Sequence, residues 1–229
     1  MSGYTVVYPV KPWRLGKSRL ALDARPRQDL ARAFALDVLD VLRGVAAIEH
    51  VLVVTDEGEL RSEANRIGAT VLSDRPLVSN DSLNDAIRAG ARWAAVRRPV
   101  SPIVVVPSDL PALTAEALGA ALAEGSLFGR AFVPDAWSRG TTLLMAHEPA
   151  QLVPDFGGHS AQRHAAAGYR ELADVDARVR TDVDTVEQLR IARHLGLGSR
   201  TQAVVDRLIA ERSAGSGRAP TASAGHRQG

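Results

Sequence analysis

The chain has 229 residues, 45% hydrophobic and 24% charged, which fits one α/β domain of an ordinary globular protein. It has no cysteine, which excludes disulfides, thiolate metal sites and cysteine nucleophiles. A formal net charge of +2 and an aromatic content of 4%, with no basic stripe interleaved with aromatics, argue against a nucleic-acid surface.

The first apolar run, Tyr4 to Val10, is short for a signal core, and no stretch reaches the about eighteen apolar residues of a membrane span, so a cytoplasmic protein is expected. Thr5 to Val10 reads as the first strand. Lys11 to Leu20, KPWRLGKSRL, is a basic loop. Its Gly16-Lys17-Ser18 resembles the end of a P-loop, but the glycine that motif needs five positions earlier is Lys11, so that reading is rejected. Lys11, Arg14, Lys17 and Arg19 either neutralise a polyphosphate, with help from the next helix's backbone donors, or form a solvated basic loop. Pro26 to Leu42 has helical spacing, Val51 to Val54 is a second strand, Glu57 to Ile67 a short helix and Ala69 to Leu72 a third strand.

A loop of turn formers, Ser73 to Asn80, leads to a helix opened by Asp81 or Ser82. Within it Asn84 either belongs to the capping pattern or reads a base edge or ribose hydroxyl. Then comes PIVVVPSDLPAL, residues 102–113, a short β-branched run that suits a strand buried on both faces. Asp109 emerges at its carboxyl end, where open α/β sheets bind ligands. It is either a ligand to a metal or substrate, or a turn or cap aspartate. Ala115 to Ala123 is a helix, and Ala131 to Val133 and Thr142 to Met145 are strands joined by a polar turn. Thr141 and Thr142 offer hydroxyls to a pocket if that hairpin folds over the sheet.

Asp155 to Ser160, DFGGHS, has two glycines that let backbone N–H groups approach an anion, and Arg163 follows as a further cation. His159 and His164 belong to no Ser/His/Asp arrangement. Val179 to Val183 is expected to be a last strand, which would turn Asp182 and Asp184 to one side. Either could join Asp109 around a divalent ion, with water and phosphate completing a magnesium shell, or Asp184-Thr185 could cap the next helix. Val186 to Leu195 and Ala203 to Ile209 are closing helices. Residues 213–229 are mostly Ala, Gly, Ser, Pro and Arg and are expected to be a disordered tail after a single domain over 1–212. Strands alternating with helices argue one doubly wound, mostly parallel mixed sheet flanked by helices.

In this order and spacing, PVKPWRLGKSRLA, DSLNDAI, VVVPSDLPAL, GTTLL, FGGHSAQRH and TDVDTVEQL resemble the CofC/FbiD guanylyltransferases, over roughly residues 4 to 210. The resemblance implies a MobA-like nucleotidyltransferase fold of the glycosyltransferase-A type. It implies transfer of GMP from GTP to phosphoenolpyruvate, or to 2-phospho-L-lactate, in coenzyme F-420 biosynthesis, with hand-over to a downstream deazaflavin transferase. It further implies that Asp109 and Asp184 bind Mg2+, that Lys11, Lys17 and Arg19 meet the triphosphate, and that Asn84 lies near the guanosine. Asp109, Lys17 and Arg19 would then be catalytic, and Thr141, Gly157 and Ser160 would hold the acceptor acid. Gly158-His159 departs from a relative's Pro-Asp. Other readings left open are 3-phosphoglycerate as acceptor, a different MobA-like nucleotidyltransferase, and a catalytically silent nucleotide-binding protein.

Overall fold

In the computed structural model, which describes residues 3–15, 20, 22–73 and 81–216, strand β1 (Tyr4–Pro9) is buried along its whole length. Its sequence, YTVVYP, has no polar face because both sides are covered, as in the middle of a parallel sheet. β1 pairs in parallel with β2 (Ile48–Val54) on one side and with β4 (Ile103–Val105) on the other. β3 (Thr70–Leu72) extends the first side, also in parallel. Beyond β4 comes β6 (Thr141–Ala146), antiparallel to both its neighbours, then β5 (Arg130–Pro134) and the two-residue edge strand β7 (Arg170–Glu171). The order is β3-β2-β1-β4-β6-β5-β7, a mixed and mostly parallel sheet in which the hairpin strand β6 is reversed.

Alternation along β1 separates two cores. Val6 and Tyr8 face one side, with Leu39 and Leu42 of α1 (Ala24–Gly44), Leu60 of α2 (Gly58–Arg66), Leu118 of α4 (Ala115–Gly125) and Val179 of α6 (Ala177–Arg180). Val7 faces the other, with Ile87 of α3 (Ser82–Arg97) and Ala161 of α5 (Ser160–Ala166). The Tyr8 hydroxyl donates to the Ala35 carbonyl at 2.7 Å and so fixes α1 on the central strand. A third cluster, including Leu30, Phe34, Val183 and Val205, joins α7 (Val186–Leu195) and α8 (Ser199–Ser216) to α1. The carboxylate of Asp37 in α1, nearly buried, accepts from the N–H groups of Arg200 and Thr201 and caps the first turn of α8.

The expected strand over 179–183 is absent. Asp176 accepts from the Arg178 N–H at 2.8 Å and opens the helical turn α6 instead. The chain then runs without regular structure until α7. β7 was not legible in the sequence, being two exposed residues at a sheet edge. Helix α8 continues to Ser216, past the boundary expected at 212, and the rest of the tail lies outside the described residues. No helix among the described residues is long and apolar enough to cross a membrane.

Gly90 lets α3 approach the centre of the sheet: a Cβ there would lie 2.6 Å from Cγ1 and 3.0 Å from Cγ2 of Val7, both buried. Helix propensity alone would favour alanine by about 1 kcal/mol. Overpacking against a β-branched strand residue costs about 1–3 kcal/mol and should win. Gly90→Ala is therefore expected to lower the urea midpoint with an unchanged m-value; a raised midpoint would show that the contact relaxes freely.

Candidate active site

The strand order reverses at β1. The chain moves outward through β2 and β3, then crosses back to place β4 on the other side of β1. Such switch points leave a crevice outside the carboxyl ends of the two strands. Lys11, exposed, follows the end of β1, and Asp109, half-buried, follows the end of β4. The Val106 N–H still bonds to the Val7 carbonyl at 3.1 Å, and buried Leu110, Ala112 and Leu113 anchor the turn beyond Asp109. Burial pushes the Tyr8 phenol well above its ordinary pKa, and the nearby carboxylates of Asp109 and then Asp37 push it further.

The segment with the second carboxylates reaches this ledge through one backbone bond, from the Val183 N–H to the Asp109 carbonyl at 2.9 Å. Val183 is fully buried, and half-buried Asp182 and Asp184 flank it. The α7 cap is Thr185: its side chain accepts from the Gln188 N–H, and the Gln188 side chain accepts from the N–H groups of Asp184 and Thr185. This capping box leaves the Asp184 carboxylate out of the capping role. Asp109 and Asp184 thus sit on two tied segments and offer hard oxygen donors. Among the described residues no group of three or more His, Asp or Glu could hold a metal. A divalent ion would therefore take part of its shell from phosphate and water, which is how magnesium is usually held.

The hairpin of β5 and β6 forms the opposite wall. The Asp135 carboxylate accepts from the N–H groups of Trp137, Arg139 and Gly140 at 3.0, 2.8 and 2.7 Å, which closes the turn. A Cβ on Gly140 would meet Asp135 Oδ2 at 2.7 Å, so the turn needs glycine there. The pairing slips between Val133↔Leu143 and Pro134↔Thr141, a bulge that leaves Thr142 as the extra residue. Leu143 faces the α1 side and Leu144 the α3 side. Strict alternation would send Thr141 with Leu143; the bulge turns it instead toward α5.

There Thr141 Oγ1 lies 2.8 Å from His164 Nδ1 and accepts from Ser160 Oγ at 3.1 Å. Ser160 and His164 are buried, and the Asp155 N–H donates to His164 Nε2 at 3.1 Å. The imidazole packs among Phe132, Phe156 and Tyr169. Burial lowers its pKa to about 4, with Asp155 opposing and Arg163 adding to the shift. In the connecting loop Gly157 has φ +125° and His159 sits in the left-handed region at φ 60°. Gly157 is exposed, beside this polar cluster.

Two residues are engaged with the protein itself. Asn84 is 2% exposed; its amide donates to Asp81 and to the Phe156 carbonyl, while its Oδ1 accepts from the Phe156 N–H at 2.8 Å. It therefore clamps the 155–158 loop to α3. The Arg163 guanidinium pairs with the Asp155 carboxylate at 2.9 Å and bonds the carbonyls of Asp155 and Gly158, so it braces the loop instead of offering a free cation. Lys17 and Arg19 lie outside the described residues. Asp135 and His164 were missed as site builders. The sequence signal for Asp135 was an aspartate five positions before a glycine across a polar turn; for His164 it was its place in FGGHSAQRH.

Residues 4–189 match the family described as "Guanylyl transferase CofC like". The chain is 42% identical over 209 residues to the phosphoenolpyruvate guanylyltransferase of Streptomyces coelicolor, covering 90% of this chain and 97% of that one. It is 41% identical over 210 residues to the protein of that name from Thermomonospora curvata, covering 90% of each. Among solved structures, a putative nucleotide-diphospho-sugar transferase from Desulfovibrio desulfuricans G20 superposes with a TM-score of 0.67 at 18% identity, over 92% of this chain and 96% of that one. Rv0371c of Mycobacterium tuberculosis H37Rv, solved with manganese, superposes with a TM-score of 0.53 at 19% identity, over 83% and 98%. At these identities the structures establish the nucleotidyltransferase fold.

A histidine held neutral in the fold but free to protonate in the unfolded chain weakens the fold as pH falls. With an unfolded pKa of 6.5 and a folded one of about 4, His164 contributes stability that is complete above 6.5 and lost on descending to about 4. The loss is about 3 kcal/mol. Urea unfolding between pH 7 and pH 4 should show a steeper loss for the wild type than for His164→Gln, which cannot titrate; equal slopes would contradict a neutral buried ring.

Proposed function

Because the chain belongs to the CofC-like guanylyl transferase family, we propose that it transfers GMP from GTP to phosphoenolpyruvate, giving enolpyruvoyl-diphospho-guanosine and pyrophosphate in coenzyme F-420 biosynthesis. The observation that carries this reading is the tie between Val183 and Asp109. It ties two aspartate-bearing segments together beside the switch-point crevice.

The reaction joins two anions. The acceptor's phosphate oxygen is ionised near neutral pH, so no proton has to be removed. It attacks the α-phosphorus of GTP in line as the bond to the β-phosphate oxygen breaks. Catalysis reduces to positioning and charge neutralisation, which explains a site with carboxylates and cations but no catalytic triad. Asp109 and Asp184 would hold Mg2+, which when bound neutralises phosphate oxygens and orients them. Lys11, just past the end of β1, meets the triphosphate, and Lys17 and Arg19 stabilise the departing pyrophosphate. Thr141, Gly157 and Ser160 take the acceptor's carboxylate end. Asn84, which ties the Phe156 loop to α3, lies near the guanosine. The product, a diphosphate ester of an unsaturated acid, passes to a deazaflavin transferase.

With GTP, Mg2+ and phosphoenolpyruvate the purified protein should release pyrophosphate and form the diphosphate product, identified by mass. Asp109→Asn should lower kcat by about 100-fold or more, the scale of losing one charged stabiliser of the transition state, without changing the thermal midpoint by more than a few degrees. Near wild-type turnover of that variant would remove Asp109 from the site. No turnover of phosphoenolpyruvate by the wild type, with turnover of another phosphorylated acid, would move the assignment to that acid.

A further inference from the structure

The polar cluster behind Thr141 has one feature that the reaction above does not use: its hydrogens are assigned by a backbone group. The Asp155 N–H can only donate, and it points at His164 Nε2 from 3.1 Å, so Nε2 carries the lone pair. In a neutral ring the proton must then be on Nδ1, which faces Thr141 Oγ1 at 2.8 Å. Thr141 Oγ1 accepts that proton and also accepts from Ser160 Oγ at 3.1 Å. Both its lone pairs are occupied, and only its own O–H is left to give. Among the described residues nothing accepts that O–H, and Thr141 retains 8% exposure at the rim of the crevice.

From this we infer that His164 is a positioning residue that makes the Thr141 hydroxyl a hydrogen-bond donor toward the acceptor acid, selecting an anionic oxygen at that position. The inference rests on the reading that Thr141 meets the acceptor. The opposite tautomer would reverse the site. With the proton on Nε2, Nδ1 would accept from Thr141, and the threonine would turn a lone pair toward the incoming carboxylate and repel it.

The surroundings hold the tautomer in place. The ring is fully buried among Phe132, Phe156 and Tyr169, and this burial keeps it neutral at physiological pH, with its pKa near 4. The charged groups acting on it are Asp155 and Arg163, which pair with each other at 2.9 Å. The Asp155 N–H is held by the same loop that Asn84 grips through Phe156 on both its N–H and carbonyl. Closure of the loop, the proton on Nδ1 and the direction of the Thr141 hydroxyl thus form one chain of hydrogen bonds. The bulge at Thr142 is what turns Thr141 to the side where that chain can reach it.

Two measurements test this. In full-length protein carrying 15N-histidine at pH 7, the His164 ring should show a protonated Nδ1 and an unprotonated Nε2. The Nε2–H tautomer, or a charged ring, would overturn the inference whatever the substrate. In steady-state kinetics, His164→Phe keeps a ring but loses the donor and should raise KM for phosphoenolpyruvate roughly tenfold or more, with KM for GTP unchanged. His164→Asn, whose amide nitrogen falls near the Nδ1 position, should recover most of that loss. In a Thr141→Val background the His164→Phe change should matter less than about twofold, because the histidine acts through the threonine. Equal rises in both KM values, no recovery by asparagine, or additive effects in the double variant would make His164 a packing residue only. If the wild type does not use phosphoenolpyruvate but the Nδ1–H tautomer is present, the proposed substrate fails while the donor assignment stands, to be tested by the same KM comparison on the acid that is used.

Discussion

Past Val106 strand β4 has left its sheet partners, and the carbonyl of Asp109 needs a donor. It finds one in the Val183 N–H, 2.9 Å away and 74 positions later in the chain, counting from 109 to 183. A backbone group near the core that is left unpaired costs as much as a lost hydrogen bond, so this link is strongly specified. The place of the second carboxylate segment follows from it. It seats Val183 in the satellite core with Leu30 and Phe34, fixes Asp184 beside the crevice, and sets the start of α7. The reversal of strand order at β1 makes the crevice; the Val183 bond brings the second carboxylate segment to it.

Opposite stands a wall whose stiffness comes from backbone capture by side chains. Asp135 takes three N–H groups of its own turn, Asn84 takes both backbone groups of Phe156, and Arg163 grips two carbonyls of the loop. These side chains spend their polar atoms on protein and leave the hydroxyl of Thr141 and the exposed backbone at Gly157 facing outward. A reaction between two anions benefits from such rigidity, since groups that are already oriented need no reorganisation as charge shifts. His159, a non-glycine residue at φ 60°, lies in the same loop, and its strain of about 1–3 kcal/mol is carried by those braces.

The sequence made the architecture legible where periodicity was strong. TVVYPV and IVVV read as strands, and the helical spacing of Leu30, Ala33, Phe34 and Val38 read as α1, because both signals are local. Segment 179–183 misled because its β-branched residues suited a strand, while the Asp176 cap committed the start of it to a helical turn. Asp109 and Asp184 were found as candidates by motif, but their tie is a contact between distant segments and has no local signature. The bulge at Thr142 was equally invisible: one extra residue in β6 changes which face Thr141 takes, and no residue type announces it. Asn84 was singled out for its donors and acceptors, and its tie to Phe156, 72 positions away, has no local signature.

The proposed reaction has the phosphates meet between the ledge of Asp109 and Asp184 and the wall of Thr141 and Ser160. A crystal structure with Mn2+, an unreactive GTP analogue and phosphoenolpyruvate tests it directly, since manganese is located by its anomalous signal. The metal is expected between the carboxylates of Asp109 and Asp184, and the acceptor's carboxylate on the hydroxyl of Thr141. Metal bound away from both aspartates, or the acid bound on the far side of the sheet, would contradict it.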